Sequence, residues 1–270
     1  MIVEAKETLH LSPRIQTAIQ AAKAGGESAR SLFGQRDQGI QQKKGILNFV
    51  TKGDLSSEKA IMDVLKKAYP DEYILSEETK NDLTKDEMMQ LPFLWVIDPI
   101  DGTVNYKVGK RYAGVSVGLM EHGVSTGGAI CDIFSADLYY AQKGNGAFLN
   151  GEQIHVTENT DLMDGIVTFD VSYNPAGTRR HLEMIQKFDP IPRILSQGSS
   201  VMAMAEVGAG KTDLYFHTDL KPWDNAAAFP IIEEAGGVVR DLKGRPIDIF
   251  SPEMVVGNET FVRAFLQAQQ

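Results

Sequence analysis

Two aspartates three residues apart, Asp98 and Asp101, stand in "WVIDPIDGTVNY" (95–106), directly after an apolar run. A capping turn needs one acid; this one carries two, with the hydroxyl of Thr103 beside them. Pro99 fixes the chain direction and Gly102 permits a tight bend, so both carboxylates, the hydroxyl and an intervening carbonyl can face one point. Three more acidic sites occupy the edge of an apolar element: Asp54 in "VTKGD", Glu77-Glu78 in "SEET" and Asp224 in "WDNAAAF". Taken alone, each reads as an N-cap or a solvated turn. Taken together, clustered carboxylates repel one another and resist desolvation, and they persist where a cation sits among them. Oxygen-only ligands suit hard divalent ions, Mg²⁺ first and Mn²⁺ as a substitute. There is no zinc-type Cys/His pattern, and the five histidines are scattered.

The elements that must position these groups follow from periodicity and punctuation. A helix is expected from Ser12 to about Gly34, with Gly25 and Gly26 inside it explained by close packing. The stretch 35–50 reads as a short hairpin or a mobile loop. A second helix starts near Asp54 and is ended by Pro70. "EYILSEET" is a short strand, "KNDLTKDEMMQLP" a polar linker with one helical turn, and "FLWVID" the strand that delivers Asp98. Four more strand candidates up to Ile154, separated by Gly123, Gly144–Gly146 and Asn150-Gly151, suggest an antiparallel sheet. Beyond about residue 158 strand and helix alternate, with "KPWDNAAAFPIIEEAGG" as one helix, which favours layered α/β packing. The division is therefore 1–157, helices plus an antiparallel sheet with most of the acids, and 158–270, a smaller α/β unit completing the site.

The totals set bounds. A chain of 270 residues can bury one large core or two modest ones. A net charge of −9 argues against a nucleic-acid polymer or a membrane surface as partner, but not against an anionic substrate, since bound cations reverse the local sign. The single cysteine, Cys131, lies in an apolar stretch and reads as a buried, inert thiol. Neither a signal peptide nor an apolar run long enough to span a membrane is evident, and a cytoplasmic location is expected.

The four acidic segments together resemble the inositol monophosphatase family of Mg²⁺-dependent, lithium-sensitive phosphatases. "WVIDPIDGTVNY" is similar to its first signature and "WDNAAAFPIIEEAGG" to its second. "SEET" stands where the family has Gly-Glu-Glu-Ser, and "VTKGD" where it has Val-Thr-x-x-Asp. The likeness spans nearly the whole chain. It implies an αβαβα five-layer sandwich and a homodimer. It implies two or three Mg²⁺ ions held by the carboxylates of Glu77, Asp98, Asp101 and Asp224 and the carbonyl of Ile100, with Mn²⁺ as a substitute and Li⁺ and Ca²⁺ as inhibitors. Asp54 and Thr103 match the pair that orients the attacking water, with Glu77 also in the catalytic set. Asp101, Gly102, Thr103, Gly198, Ser199, Ser200, His217 and Asp224 match positions around the substrate, and a helix start at 198–200 would offer amide N–H groups to an anion. The implied reaction is hydrolysis of a small phosphorylated metabolite, inositol 1-phosphate first.

Haloacid-dehalogenase-like phosphatases also carry an Asp-x-Asp loop, but with one residue between the acids and after the first strand; here Pro99 and Ile100 intervene, a third of the way along. Two departures from the resembled pattern matter. Ser76 replaces a glycine before the acid pair, and His217 replaces a glutamate that touches inositol hydroxyls in animal members, so His217 is either a substrate contact or part of the rim. Fructose 1,6-bisphosphate, 3′-phosphoadenosine 5′-phosphate and histidinol phosphate are served by the same core. Arg179 and Arg180 would reach a second phosphate or form a solvated helix start. A non-catalytic metal- or phosphate-binding regulator on the same scaffold is the reading from a different class.

Overall fold

The computed structural model describes residues 11–35, 39–42, 49–172, 174–189 and 193–270. Helix α1 (Pro13–Leu32) is capped by Ser12, whose Oγ accepts from the Ile15 amide at 3.3 Å. Its two internal glycines lie against neighbours: a Cβ on Gly25 would come within 2.8 Å of Ile61 Cγ1, and one on Gly26 within 2.7 Å of Cys131 Sγ. Strands β1 (Gln41–Gln42) and β2 (Phe49–Val50) pair antiparallel, as the hairpin reading expects, while 43–48 lie outside the described residues.

Helix α2 (Lys52–Ala68) begins two residues earlier than expected. Thr51 is its N-cap, and Asp54 sits three residues on, with its Oδ2 taking the Thr51 amide at 2.8 Å and the Thr51 hydroxyl at 2.5 Å. The cap reading of Asp54 is thus corrected: it closes a capping box from inside the helix. The buried stripe of α2 runs Asp54, Ser57, Ile61, Leu65, polar at its N-terminal end and apolar below.

A seven-stranded sheet follows the order β3 (Tyr73–Ser76), β4 (Phe93–Asp101), β5 (Gly114–Glu121), β6 (Val124–Asp132), β7 (Leu138–Gln142), β8 (Gly146–Leu149), β9 (Glu152–Ile154). The expected antiparallel pairing holds from β4 to β9, but β3 runs parallel to β4. The linker between β3 and β4 carries one short helix, α3 (Lys85–Met89), and β4 leads into another, α4 (Thr103–Val108). Asn150 and Gly151, at φ 52° and 91°, form the two-residue turn between β8 and β9.

The second sheet is mixed: β11 (Arg193–Leu195), β10 (Ile166–Phe169) and β12 (Leu214–His217) are parallel, β14 (Met254–Gly257) joins β12 antiparallel, and β13 (Val238–Arg240) closes the edge antiparallel to β14. Helices α5 (Pro175–Lys187) and α9 (Glu259–Ala268) cover one face, against Phe169, Phe216 and Val255. The expected single helix at 221–237 is two, α7 (Pro222–Asn225) and α8 (Ala228–Glu234). Pro230 has no amide hydrogen for the Ala226 carbonyl four residues back. The Ser125 hydroxyl supplies that bond at 2.6 Å.

Alternation along the strands builds the layers. In β4, Trp95 and Ile97 join the core under α1 and α2, whereas Leu94 and Val96 face a central core shared with α6 (Ser200–Gly208), α8 and Tyr215 of the second sheet. The outcome is the expected αβαβα five-layer sandwich. No helix among the described residues is long and apolar enough to cross a membrane.

Candidate active site

The site grows from an irregularity in β4. Asp98 lies opposite Ser116 and Asp101 opposite Gly114, so three steps on β4 face two on β5: a β-bulge with one extra residue. In a regular strand, residues three apart point to opposite faces. Here the parity flips: Ile100 packs under α1 and α2 with Trp95 and Ile97, and Asp101 returns to the central side that Leu94, Val96 and Asp98 share. The Asp98 Oδ1 takes the Ile100 amide at 3.0 Å and stabilises the bend. Gly102, at φ 89°, completes the turn where a side chain would press on the carbonyl oxygens of Gly198 and Tyr112, each 3.1 Å from an added Cβ.

Asp224 meets these acids from the second half. It is the third residue of α7, not its cap, and its Oδ2 accepts from the Lys221 amide at 2.7 Å. Carboxylate oxygens of Asp98, Asp101 and Asp224 all lie within 4.8 Å of one another. Glu77 stands outside that triplet; its amide extends the β3–β4 ladder to the Ile97 carbonyl, and its charge acts on Asp98 and Asp224. Ser76 ties this turn to α2 through Glu58, at 2.5 Å.

Burial, then the charges of Glu77, Asp101 and Asp224, holds Asp98 well above the usual carboxylate range. Burial lifts Asp101 to about 6, against the opposing pull of its bonds to Ser199 and Val201, and Asp224 is raised by burial and then by Asp101. Three desolvated carboxylates in mutual contact are unfavourable as anions unless positive charge joins them, so the donor set fits a hard divalent cation.

Asp54 approaches from α2. Its Oδ1 lies 3.3 Å from Thr103 Oγ1, which also donates to the Ile100 carbonyl at 2.9 Å, and burial pushes its carboxyl up to about 6. A carbonyl has a second lone pair, so this bond leaves Ile100 able to serve a cation.

Beside the acids, Ser199 caps α6 and donates to Asp101 Oδ2 at 2.6 Å, and the Val201 amide reaches the same oxygen at 2.7 Å. The Gln197 and Gly198 amides go to Asp170 Oδ1, at 3.0 and 2.6 Å. Of the 198–200 amides that sequence reasoning gave to an anionic substrate, that of Gly198 is taken by Asp170. Ser200 Oγ accepts from the Tyr215 hydroxyl at 2.8 Å.

His217 ends β12, 6% exposed, with its ring 4.7 Å from that of His181 and parallel to Tyr215. Burial and then His181 push its pKa down to about 3, so the ring is neutral. Its Nδ1 accepts the Asp219 amide at 3.1 Å, which leaves Nε2 as the donor. Arg180 is paired with Glu253 at 2.5 Å on the surface, and Arg179 is exposed; the solvated reading of that helix start fits both. Sequence reasoning missed Asp170, Asn105 and Ser57. Asp170 carried the same signal as the other acids, an aspartate closing the apolar run "GIVTF".

Residues 10–270 match the inositol monophosphatase family. A "Fructose-1,6-bisphosphatase/inositol-1-monophosphatase" of Thermotoga maritima is 32% identical over 248 residues, covering 91% of each chain. A "Nus factor SuhB" of Pasteurella multocida is 31% identical over 96% of this chain and 97% of its own. The crystal structure of extragenic suppressor protein suhB from Bartonella henselae superposes with a TM-score of 0.87 at 29% identity, covering 96% of this chain and 99% of that one.

Proposed function

Because this chain belongs to the inositol monophosphatase family and is thus a metal-dependent phosphatase, we propose that it hydrolyses the phosphate monoester of a small metabolite, inositol 1-phosphate before others. The observation that carries the reading is the convergence of Asp98, Asp101 and Asp224 within 4.8 Å, flanked by the Asp54–Thr103 pair. The carboxylates of these three, with Glu77 and the Ile100 carbonyl, would hold Mg²⁺, with Mn²⁺ as a substitute and Li⁺ and Ca²⁺ as competitors. Bound divalent cations supply charge for the phosphoryl oxygens, an acidified water and a partner for the leaving oxygen. Thr103 and Asp54 orient the attacking water, Asp54 accepting its proton, and the burial of the acids keeps bulk solvent from diluting the field. Arg180 pairs with Glu253 on the surface, which supports the solvated reading of that helix start over a second-phosphate contact. A cytoplasmic homodimer completes the reading.

The test is phosphate release with Mg²⁺ and with chelator from inositol 1-phosphate, fructose 1,6-bisphosphate, 3′-phosphoadenosine 5′-phosphate and histidinol phosphate. Chelator-sensitive turnover of the first supports the reading; preference for another reassigns the alcohol. The relatives named Nus factor SuhB favour a second reading, a regulatory role on the same scaffold. Metal binding without turnover of any phosphate ester would favour it.

A further inference from the structure

Asp170 is a buried carboxylate that the proposed chemistry does not use. It follows β10, one residue past the Phe169–Phe216 pair, beside His217 on the neighbouring parallel strand. Its place is fixed from behind: its carbonyl bonds His181 Nδ1 at 2.7 Å, and His181 Nε2 meets the Thr218 hydroxyl at 2.6 Å. A carbonyl only accepts, so Nδ1 carries the proton and Nε2 accepts from Thr218.

From this anchor, Asp170 Oδ1 gathers the amides of Gln197 and Gly198, with Ser196 Oγ at 3.4 Å. The carbonyl side of the same turn is held by Asn105, whose Nδ2 donates to Gln197 at 2.7 Å and to Gly198 at 3.1 Å, and by Lys110, which also bonds the Gln197 carbonyl. Gly198 is at φ 85°, and an added Cβ would lie 3.1 Å from the Asn105 amide group, so the turn has little freedom. The next residues along, Ser199 and Val201, are those that grip Asp101 Oδ2.

We infer that Asp170 is a positioning residue for Asp101: by fixing the 196–198 turn it places Ser199 and Val201, which hold one oxygen of Asp101 and leave the other to the acid cluster. The inference rests on the reading of Asp101 as a metal ligand. Two carboxylates thus work across one short loop, Asp170 never touching the cation. Loss of such an outer partner typically weakens metal binding by about 10–100-fold.

The experiment is Mn²⁺ binding to the full chain, freed of metal and without substrate, followed by the paramagnetic signal of free Mn²⁺. Asp170→Ala is expected to bind about tenfold more weakly, with a near-native circular dichroism spectrum. Asp170→Asn keeps an acceptor for the two amides and is expected to restore most of the affinity. Asp170→Glu keeps the charge but displaces it by a methylene and is expected to fall with Asp170→Ala, which also covers the case of Asp170→Ala failing to fold. Because the effect runs through the loop, Ser199→Ala and the Asp170 variants are expected to be non-additive. Wild-type affinity in Asp170→Glu, or additive losses, would overturn the inference. A wild-type protein that binds no Mn²⁺ would remove the reading of the acids, and the inference with it.

Discussion

Ser57 Oγ donates to the carbonyl oxygen of Pro99 at 2.8 Å, joining helix α2 to the bulge of β4 across 42 residues of sequence. Ser57 lies one turn after Asp54 on the buried stripe of α2, so the bond sets the height of Asp54 against Thr103. Gly25 makes room for it: a Cβ there would lie 2.9 Å from Ser57 Oγ. Bare glycine, hydroxyl and bulge carbonyl form a stack through two helices to the site.

Ser57→Ala leaves the Pro99 carbonyl buried without this partner. A cost of about 1–3 kcal/mol is expected, read as a lower Tm, together with reduced turnover at saturating Mg²⁺. An unchanged Tm and kcat would show that the bond matters to neither.

Asp98→Asn preserves an acceptor for the Ile100 amide but removes one charge from a buried, mutually repelling set. Metal-dependent turnover should fall by about 10²–10³-fold. The metal-free protein should become more stable, by about 2–4 °C in Tm for each kcal/mol of repulsion relieved. Near-normal phosphate release would remove Asp98 from the site.

Thr103→Ala deletes the hydroxyl beside Asp54 and leaves every carboxylate in place. The expectation is a kcat lowered about a hundredfold with Mn²⁺ affinity close to wild type. A large loss of Mn²⁺ affinity with kcat intact would reverse the assignment, making the hydroxyl part of the metal site.

Asp54 and Asp101 move from an ordinary 3.8 to about 6, and Asp98 and Asp224 are also raised. The folded metal-free protein therefore binds these protons more tightly than the unfolded chain. For Asp54 and Asp101 the contribution to stability is full below about pH 4 and is lost as pH rises through about 6. Metal-free Tm should decline across that window. Cations compete with those protons, so the gain in Tm on adding Mg²⁺ should be larger at pH 8 than at pH 5. Equal gains at both values would contradict a cation bound by these carboxylates.

Much of this was legible in the sequence because acids at the ends of apolar runs are conspicuous. Asp54, Asp98, Asp101 and Asp224 all announce themselves that way; the run "FLWVI" marks a strand but, being apolar throughout, does not show which residues face which layer. What could not be read was geometry that depends on contact. Asp54 and Asp224 look like N-caps until the amides of Thr51 and Lys221 are seen to reach back to them. Pro230 signals the split between α7 and α8 in the sequence, but not that Ser125, 101 residues away, takes the Ala226 carbonyl. The Gly198 amide looked open to a ligand because nothing local reveals that Asp170 takes it.

The extra residue in β4 also makes the site a matter of reading frame along the strand. Pro99 and Ile100 turn Asp101 back to the side of Asp98, with Ile100 seated under α1 and α2. Loss of a single codon there would remove the bulge and restore plain alternation, with that carboxylate two steps from Asp98 on the same face but without the bend that the extra residue makes. Point substitutions remove one group at a time; a one-codon deletion would keep both carboxylates and change the spacing between them.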